Sequence, residues 1–287
     1  MGATELVAAV GRLADVALNM TDADLNQPWA WQSYDSEGVR FAFFRALEEL
    51  RRLEVELAML RIAHQRPRSA AQRILSQYHA AYLDLEVNLI DLSDEQANRA
   101  PAENEWSIRE TVAHIIEADA GFYAVLRYAL ERHRTNDGRP AKVPVTYYDQ
   151  LLGSEESFHA QARQPLSALR SWHAEFHAWV LRDFVDMSDD ELELPASYWE
   201  AEPYSLRFRL HRFESHLRQH TIQVEKCRAA LGYGPTEINR LLRMLSGALA
   251  SVEAYLIGDE GLGDERLNQT ATAIHSLASE IELATQR

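Results

Sequence analysis

RLHRFESHLRQHTIQVEKC, running from Arg209 to Cys227, carries the apolar spacing of a helix. At about 100° per residue, Phe213, Leu217, Val224 and Cys227 share one arc, which Leu231 extends. His216 and His220 border that arc, within about 60° of one another and of Gln223. The same periodicity recurs along most of the chain, at roughly 3–20, 36–64, 68–92, 106–134, 163–185, 206–231, 235–257 and 265–285. No run of alternating strands interrupts it, and the 287 residues contain only 12 Gly and 9 Pro. The expected fold class is therefore all-α. Asn136-Asp137-Gly138-Arg139-Pro140 ends the fourth helix, and Gly232-Tyr233-Gly234-Pro235 separates the sixth from the seventh. The stretch 186–205, DMSDDELELPASYWEAEPYS, is acidic, bears two prolines and reads as a surface loop.

Composition narrows the functional classes. A net charge of −15 sets a field against any polyanion, so nucleic-acid binding is not expected. No apolar run approaches the ~20 residues of a membrane helix. The opening MGATELVAAVGRLADVAL lacks a basic segment and contains Glu5 and Asp15, unlike a signal peptide. Cys227 is the single cysteine, so the chain has neither an internal disulfide nor a cysteine-rich zinc site. That usage fits a reducing compartment, and a cytoplasmic location is expected. Any metal must be held by His and carboxylates.

An i, i+4 histidine pair can present two ring nitrogens to one ion, but a third ligand must come from another helix. His114, in RETVAHIIEAD, stands at the rim of a stripe formed by Ile115, Ala118, Phe122, Val125 and Leu126. Three histidines with an open fourth position suit Zn²⁺, and imidazole also suits Ni²⁺ or Fe²⁺. A competing pair exists: His173 and His177, in SWHAEFHAW, lie as far inward, near Leu166, Val180 and Phe184. Periodicity does not choose between the pairs. Ser107 and Glu110 form a capping box that fixes the start of the fourth helix and sets His114 two turns down it. Trp106, just before the box, is placed as a staple residue.

The segment from Tyr78 onward, with its Leu-Ser-Asp-Glu stop followed by Glu-Trp-Ser-Ile-Arg-Glu-x-x-x-His, resembles the DinB-like (YfiT-like) family of bacterial four-helix-bundle metalloproteins. ESHLRQHTIQ resembles that family's His-x-x-x-His-x-x-Gln. The resemblance covers about residues 68–232 and implies an up-down-down-up bundle with His114, His216 and His220 as a metal triad. It also implies a divalent metal, Zn or Ni foremost, a small thiol as a second cofactor, and a small-molecule substrate. Metal-dependent hydrolysis or thiol-dependent transfer is the implied chemistry, and no catalytic residue is assigned. The protein is expected as a monomer or a homodimer, with no membrane partner. The competing expectation is a non-enzymatic helical binding protein with a vestigial histidine site.

Residues 1–67 and 233–287 lie outside the resemblance. They are read either as a degenerate second bundle into which the first is inserted, or as helices that extend one bundle. A faint echo of the Trp106 segment follows Trp31, and with Glu37 set against Glu110 it puts Phe41 at the place of His114. Glu117 is read as a solvated acid or a base, Gln223 as a partner of the site or a packing residue, and Cys227 as core.

Overall fold

The computed structural model describes residues 2–200 and 202–286. It is all-α. The helices are α1 (Gly2–Leu18), α2 (Arg40–Ala63), α3 (Ala70–Leu89), α4 (Asp94–Asn98), α5 (Ile108–Thr135), α6 (Val145–Leu152), α7 (Glu155–Ala162), α8 (Leu166–Phe184), α9 (Asp189–Leu192), α10 (Leu206–Ala230), α11 (Glu237–Glu253) and α12 (Asp264–Thr285). The strands β1 (Pro195–Ala196) and β2 (Tyr204–Ser205) pair antiparallel. None of the helices is long and apolar enough to cross a membrane. The chain divides into two compact units, residues 69–234 and residues 2–68 with 235–286.

In the unit 69–234, α3, α10, α5 and α8 pack in that order around a closed ring. Side-chain pairs give their directions. His79 meets His177 while Glu86 meets Arg170, so α3 and α8 are antiparallel. Tyr78 meets Phe213 while Asp91, just beyond α3, meets Arg228, so α3 and α10 are parallel. His114 meets His220 while Phe122 meets Phe213, which makes α5 and α10 antiparallel. The bundle therefore runs up-down-down-up. Tyr78, Tyr123, Phe176, Phe184 and Phe213 fill its core, each less than 2% exposed or nearly so. Burying each apolar side chain of this size contributes about 1.5–3 kcal/mol.

Local chemistry sets where these helices start. Ser69 and Gln72, Ser93 and Gln96, Ser107 and Glu110, and Ser188 and Glu191 form capping boxes at α3, α4, α5 and α9. Asn136 closes α5 in the left-handed region at φ 48°, a conformation that asparagine tolerates.

The second unit is also a ring of four long helices. α1 packs on α12, α12 on α2, α2 on α11, and α11 on α1. Gly2 donates to Asp264 and Arg12 pairs with Glu282, so α1 and α12 are parallel. Arg40 pairs with Glu237 and Arg51 donates to Ser251, so α2 and α11 are parallel. Asp22, after α1, accepts the backbone N–H groups of Glu237 and Ile238 at the opening of α11. Phe41 sits among Trp29, Trp31 and Tyr34. It is the second residue of α2, whereas His114 is the seventh of α5, so the two differ in height from their helix starts.

The connection from α5 to α8 departs from the sequence reading, because it contains α6 and α7. Each is eight residues long and buries no residue fully, so two turns leave too short a pattern to read as a helical period. The stretch 186–205 is more than a surface loop: Met187, Leu192 and Ala196 are buried, and it holds α9 and the strand pair. Pro235 precedes the N-cap Thr236 rather than entering the first turn of α11.

Candidate metal centre

The structure brings His114, His216 and His220 together: one ring nitrogen from each lies within 4.8 Å of the other two. α10 presents His216 and His220 one turn apart, and antiparallel α5 presents His114 at the same height. The ring of His114 lies 5.2 Å from that of His216 and 4.8 Å from that of His220, centroid to centroid. Trp106 lies against this group, 4.9 Å from His114 and 6.5 Å from His220, so the residue ahead of the capping box also walls the site.

The nitrogens suit a cation. Gln223 Oε1 lies 2.9 Å from His220 Nδ1 and can only accept, so Nδ1 carries the proton and Nε2 keeps its lone pair. That Nε2 faces His216 Nε2 at 3.1 Å. Two bare lone pairs at this distance repel, and a proton or a cation relieves them. The N···N edge of a tetrahedral zinc site is about 3.3 Å for bonds of about 2.05 Å. His216 Nδ1 is buried without a hydrogen-bond partner. Burial, reinforced by His220 and His114, pushes the His216 imidazolium down to about 3. His220 is also lowered, chiefly by burial and against the opposing hydrogen bond that it donates to Gln223. Both are therefore neutral at pH 7, the form that ligates metal. The donor set fits a borderline divalent ion with a coordination position left open. Among the described residues, no other group of three His, Cys, Asp or Glu side chains converges in this way.

The rival pair lies elsewhere. His173 and His177 are buried in the bundle centre. His173 Nε2 is 3.3 Å from Asp119 Oδ2, which also accepts from the Tyr78 hydroxyl at 3.0 Å. His177 Nε2 is 3.1 Å from His79 Nδ1, and its ring stacks on Tyr82. These are core histidines held in a polar network that leaves His173 Nδ1 and Asp119 Oδ1 buried without hydrogen-bond partners. Asp119 is a residue that the sequence reading missed. Its signal was a carboxylate on the buried stripe of α5, one turn after Ile115 and just before Phe122. Gln223 is a partner of the site, and Cys227 is a buried thiol whose pKa burial raises.

This network makes stability pH-dependent. Burial, with His79 and His173 adding to it, lowers the His177 pKa well below 6.5. Below that value the unfolded chain takes up a proton that the folded bundle refuses, so stability is complete above pH 6.5 and falls with acidification. Denaturation midpoints measured from pH 7 to pH 5 should fall, and fall less steeply in His177→Gln. Equal slopes would contradict this account.

A cavity of about 540 Å³ opens on the histidine group. His114 and His216 form part of its floor, and Glu117, Phe122, Tyr198 and Arg212 lie among its walls. The segment between β1 and β2 roofs it. Arg209, 1% exposed, pins that segment by donating to both Glu200 oxygens at 2.6 Å. Tyr198 reaches α5 only because residue 121 is glycine: a Cβ there would stand 2.3 Å from the Tyr198 hydroxyl. Gly121→Ala should displace Tyr198 and open the cavity, leaving the α-helical circular dichroism unchanged while Tyr198 becomes accessible to nitration. Unchanged nitration would refute the contact.

These features define a helical-bundle protein with a three-histidine cluster compatible with metal binding. The chain belongs to the DinB superfamily, whose family model matches residues 77–224, just over half of its length. No curated protein and no solved structure matches the chain significantly.

Proposed function

We propose that the protein binds a divalent ion, Zn²⁺ or Ni²⁺, through His114, His216 and His220, and acts on a small molecule held in the adjoining cavity. The observation that carries this reading is the convergence of three ring nitrogens, two of them from buried neutral imidazoles, beside an open cavity that His114 and His216 line. Such an ion, when bound, lowers the pKa of a water or thiol in its open position and so supplies a nucleophile at neutral pH. The reaction classes that follow are hydrolysis and thiol-dependent group transfer.

The chain's own residues do the rest. Gln223 fixes the His220 ring by accepting from Nδ1. Trp106 covers the histidines from the side of the α5 N-terminus. Glu117, exposed one turn beyond His114 and lining the cavity, is given the role of proton acceptor. In this reading, the unit formed by α1, α2, α11 and α12 is a metal-free second bundle of the same kind, split by insertion of the first.

Cobalt-loaded protein titrated with 2-mercaptoethanol tests the chemistry. A near-ultraviolet thiolate-to-cobalt band that saturates supports thiol-dependent transfer. Cobalt retained without such a band sinks the thiol reading and leaves hydrolysis. Failure to retain cobalt sinks the metal reading itself.

A further inference from the structure

The cavity beside the histidines holds two arginines in different states. Arg209 is ion-paired, both terminal nitrogens donating to Glu200, while its buried Nε has no hydrogen-bond partner. Arg212, one turn before His216 on the same helix, has no carboxylate partner within ion-pair distance. Its one hydrogen bond runs to Ser215 at 3.3 Å, on its own helix, and its guanidinium lies 5.7 Å from the Phe122 ring. Arg212 is half-buried, so its charge faces the cavity with less water around it than a surface arginine would have. Beside Glu117, Ala118 and Glu200, the remaining lining is aromatic. Tyr204 and Phe208 stack at 4.5 Å, Tyr198 is tucked in by Gly121, and Trp199 stands 79% exposed at the mouth.

A guanidinium without a partner is a planar fork of donors that matches a carboxylate bidentately. Flat aromatic walls suit a planar apolar body. The charge balance agrees. Glu200 is ion-paired with Arg209 and meets Arg212 only through a weaker, longer-range attraction, and Glu117 is exposed at the rim, so Arg212 is the cavity arginine left without an ion-pair partner. Its positive field also contributes to holding His216 and His220 neutral.

We infer that the cavity takes an organic carboxylate with a planar apolar body, its carboxylate held by Arg212 and its body between the aromatic walls, with the reacting end toward the histidines. This rests on reading the cavity as the small-molecule site proposed above. The assignment of the carboxylate to Arg212 predicts binding whether or not an ion is present.

The test is calorimetric titration of 2-naphthoate and of its neutral analogue 2-naphthamide into the full-length protein, in metal-free and zinc-loaded samples. The expected result is at least about tenfold tighter binding of the acid in both states, as a charged hydrogen-bonded pair requires. Arg212→Gln should abolish that preference while leaving the amide's affinity unchanged, and Arg212→Lys should restore part of it. Equal affinities for acid and amide in the unaltered protein, or no binding of either, would overturn the inference without recourse to any variant. A preference that appears only with zinc and survives Arg212→Gln would place the carboxylate on the ion and overturn it too. Zinc analysis of the same samples separates the two readings. Protein that retains no zinc yet prefers naphthoate through Arg212 would sink the metal proposal and leave this one standing.

Discussion

Alanine at both His216 and His220 is expected to take the protein from about one bound divalent ion per chain to none, and to remove any thermal stabilisation by added Zn²⁺ or Ni²⁺. The reason is geometric. His114 alone cannot hold an ion that three ring nitrogens within 4.8 Å of one another can share. For the unaltered chain, ion at a hundredfold excess over Kd adds about 2.7 kcal/mol to the bundle, which a melting curve resolves easily. The variant's curve should not move with metal. His177→Gln is the control. His177 bonds to His79 in the bundle core and is not one of the three clustered histidines, so this variant should keep its ion. Loss of metal there with retention in the double variant would transfer the site to the bundle centre.

The second large effect concerns Arg209. Its guanidinium is 1% exposed, held by Glu200 and by the Ala196 carbonyl, and lies near the rings of Tyr198, Tyr204 and Phe208. Arg209→Ala removes one partner of a buried ion pair, empties the space beneath the β1–β2 segment and frees Glu200. Breaking such a pair costs about 3 kcal/mol, the lower end of the range because Glu200 can turn to solvent. Urea denaturation should show that loss. Limited proteolysis should cut within 195–205 before the rest of the bundle. Stability within about 0.5 kcal/mol of the unaltered protein would mean that the pair is dispensable.

The sequence made the long helices legible because each buries a stripe, and a stripe leaves a period. α3, α5, α8 and α10 were readable within a few residues for that reason. α6 and α7 were not, since each is only eight residues long and has no fully buried side chain, too short a stretch to show a period. The histidines were visible as candidates, but the helical wheel ranked His173 and His177 equally with His216 and His220. The wheel reports which face a residue takes and is silent on what meets it there. Opposite His173 stands Asp119, and opposite His216 stands His114, a difference made by residues 54 and 102 positions away in the chain. The resemblance of the Trp-Ser…His and His-x-x-x-His elements singled out the triad that the fold assembles. Arg209 and Arg212 were hidden in plain view. One arginine is paired and the other is not, and only the folded 195–205 segment, which supplies Glu200, separates them.

In the proposed function, His114, His216 and His220 share one ion. X-ray absorption at the zinc edge on stoichiometrically loaded protein measures this directly. The account predicts a first shell dominated by three imidazole nitrogens at about 2.0–2.1 Å, with outer-shell imidazole scattering that disappears along with the metal in His216→Ala/His220→Ala. A shell of oxygen alone, or an unchanged spectrum in the double variant, would contradict it.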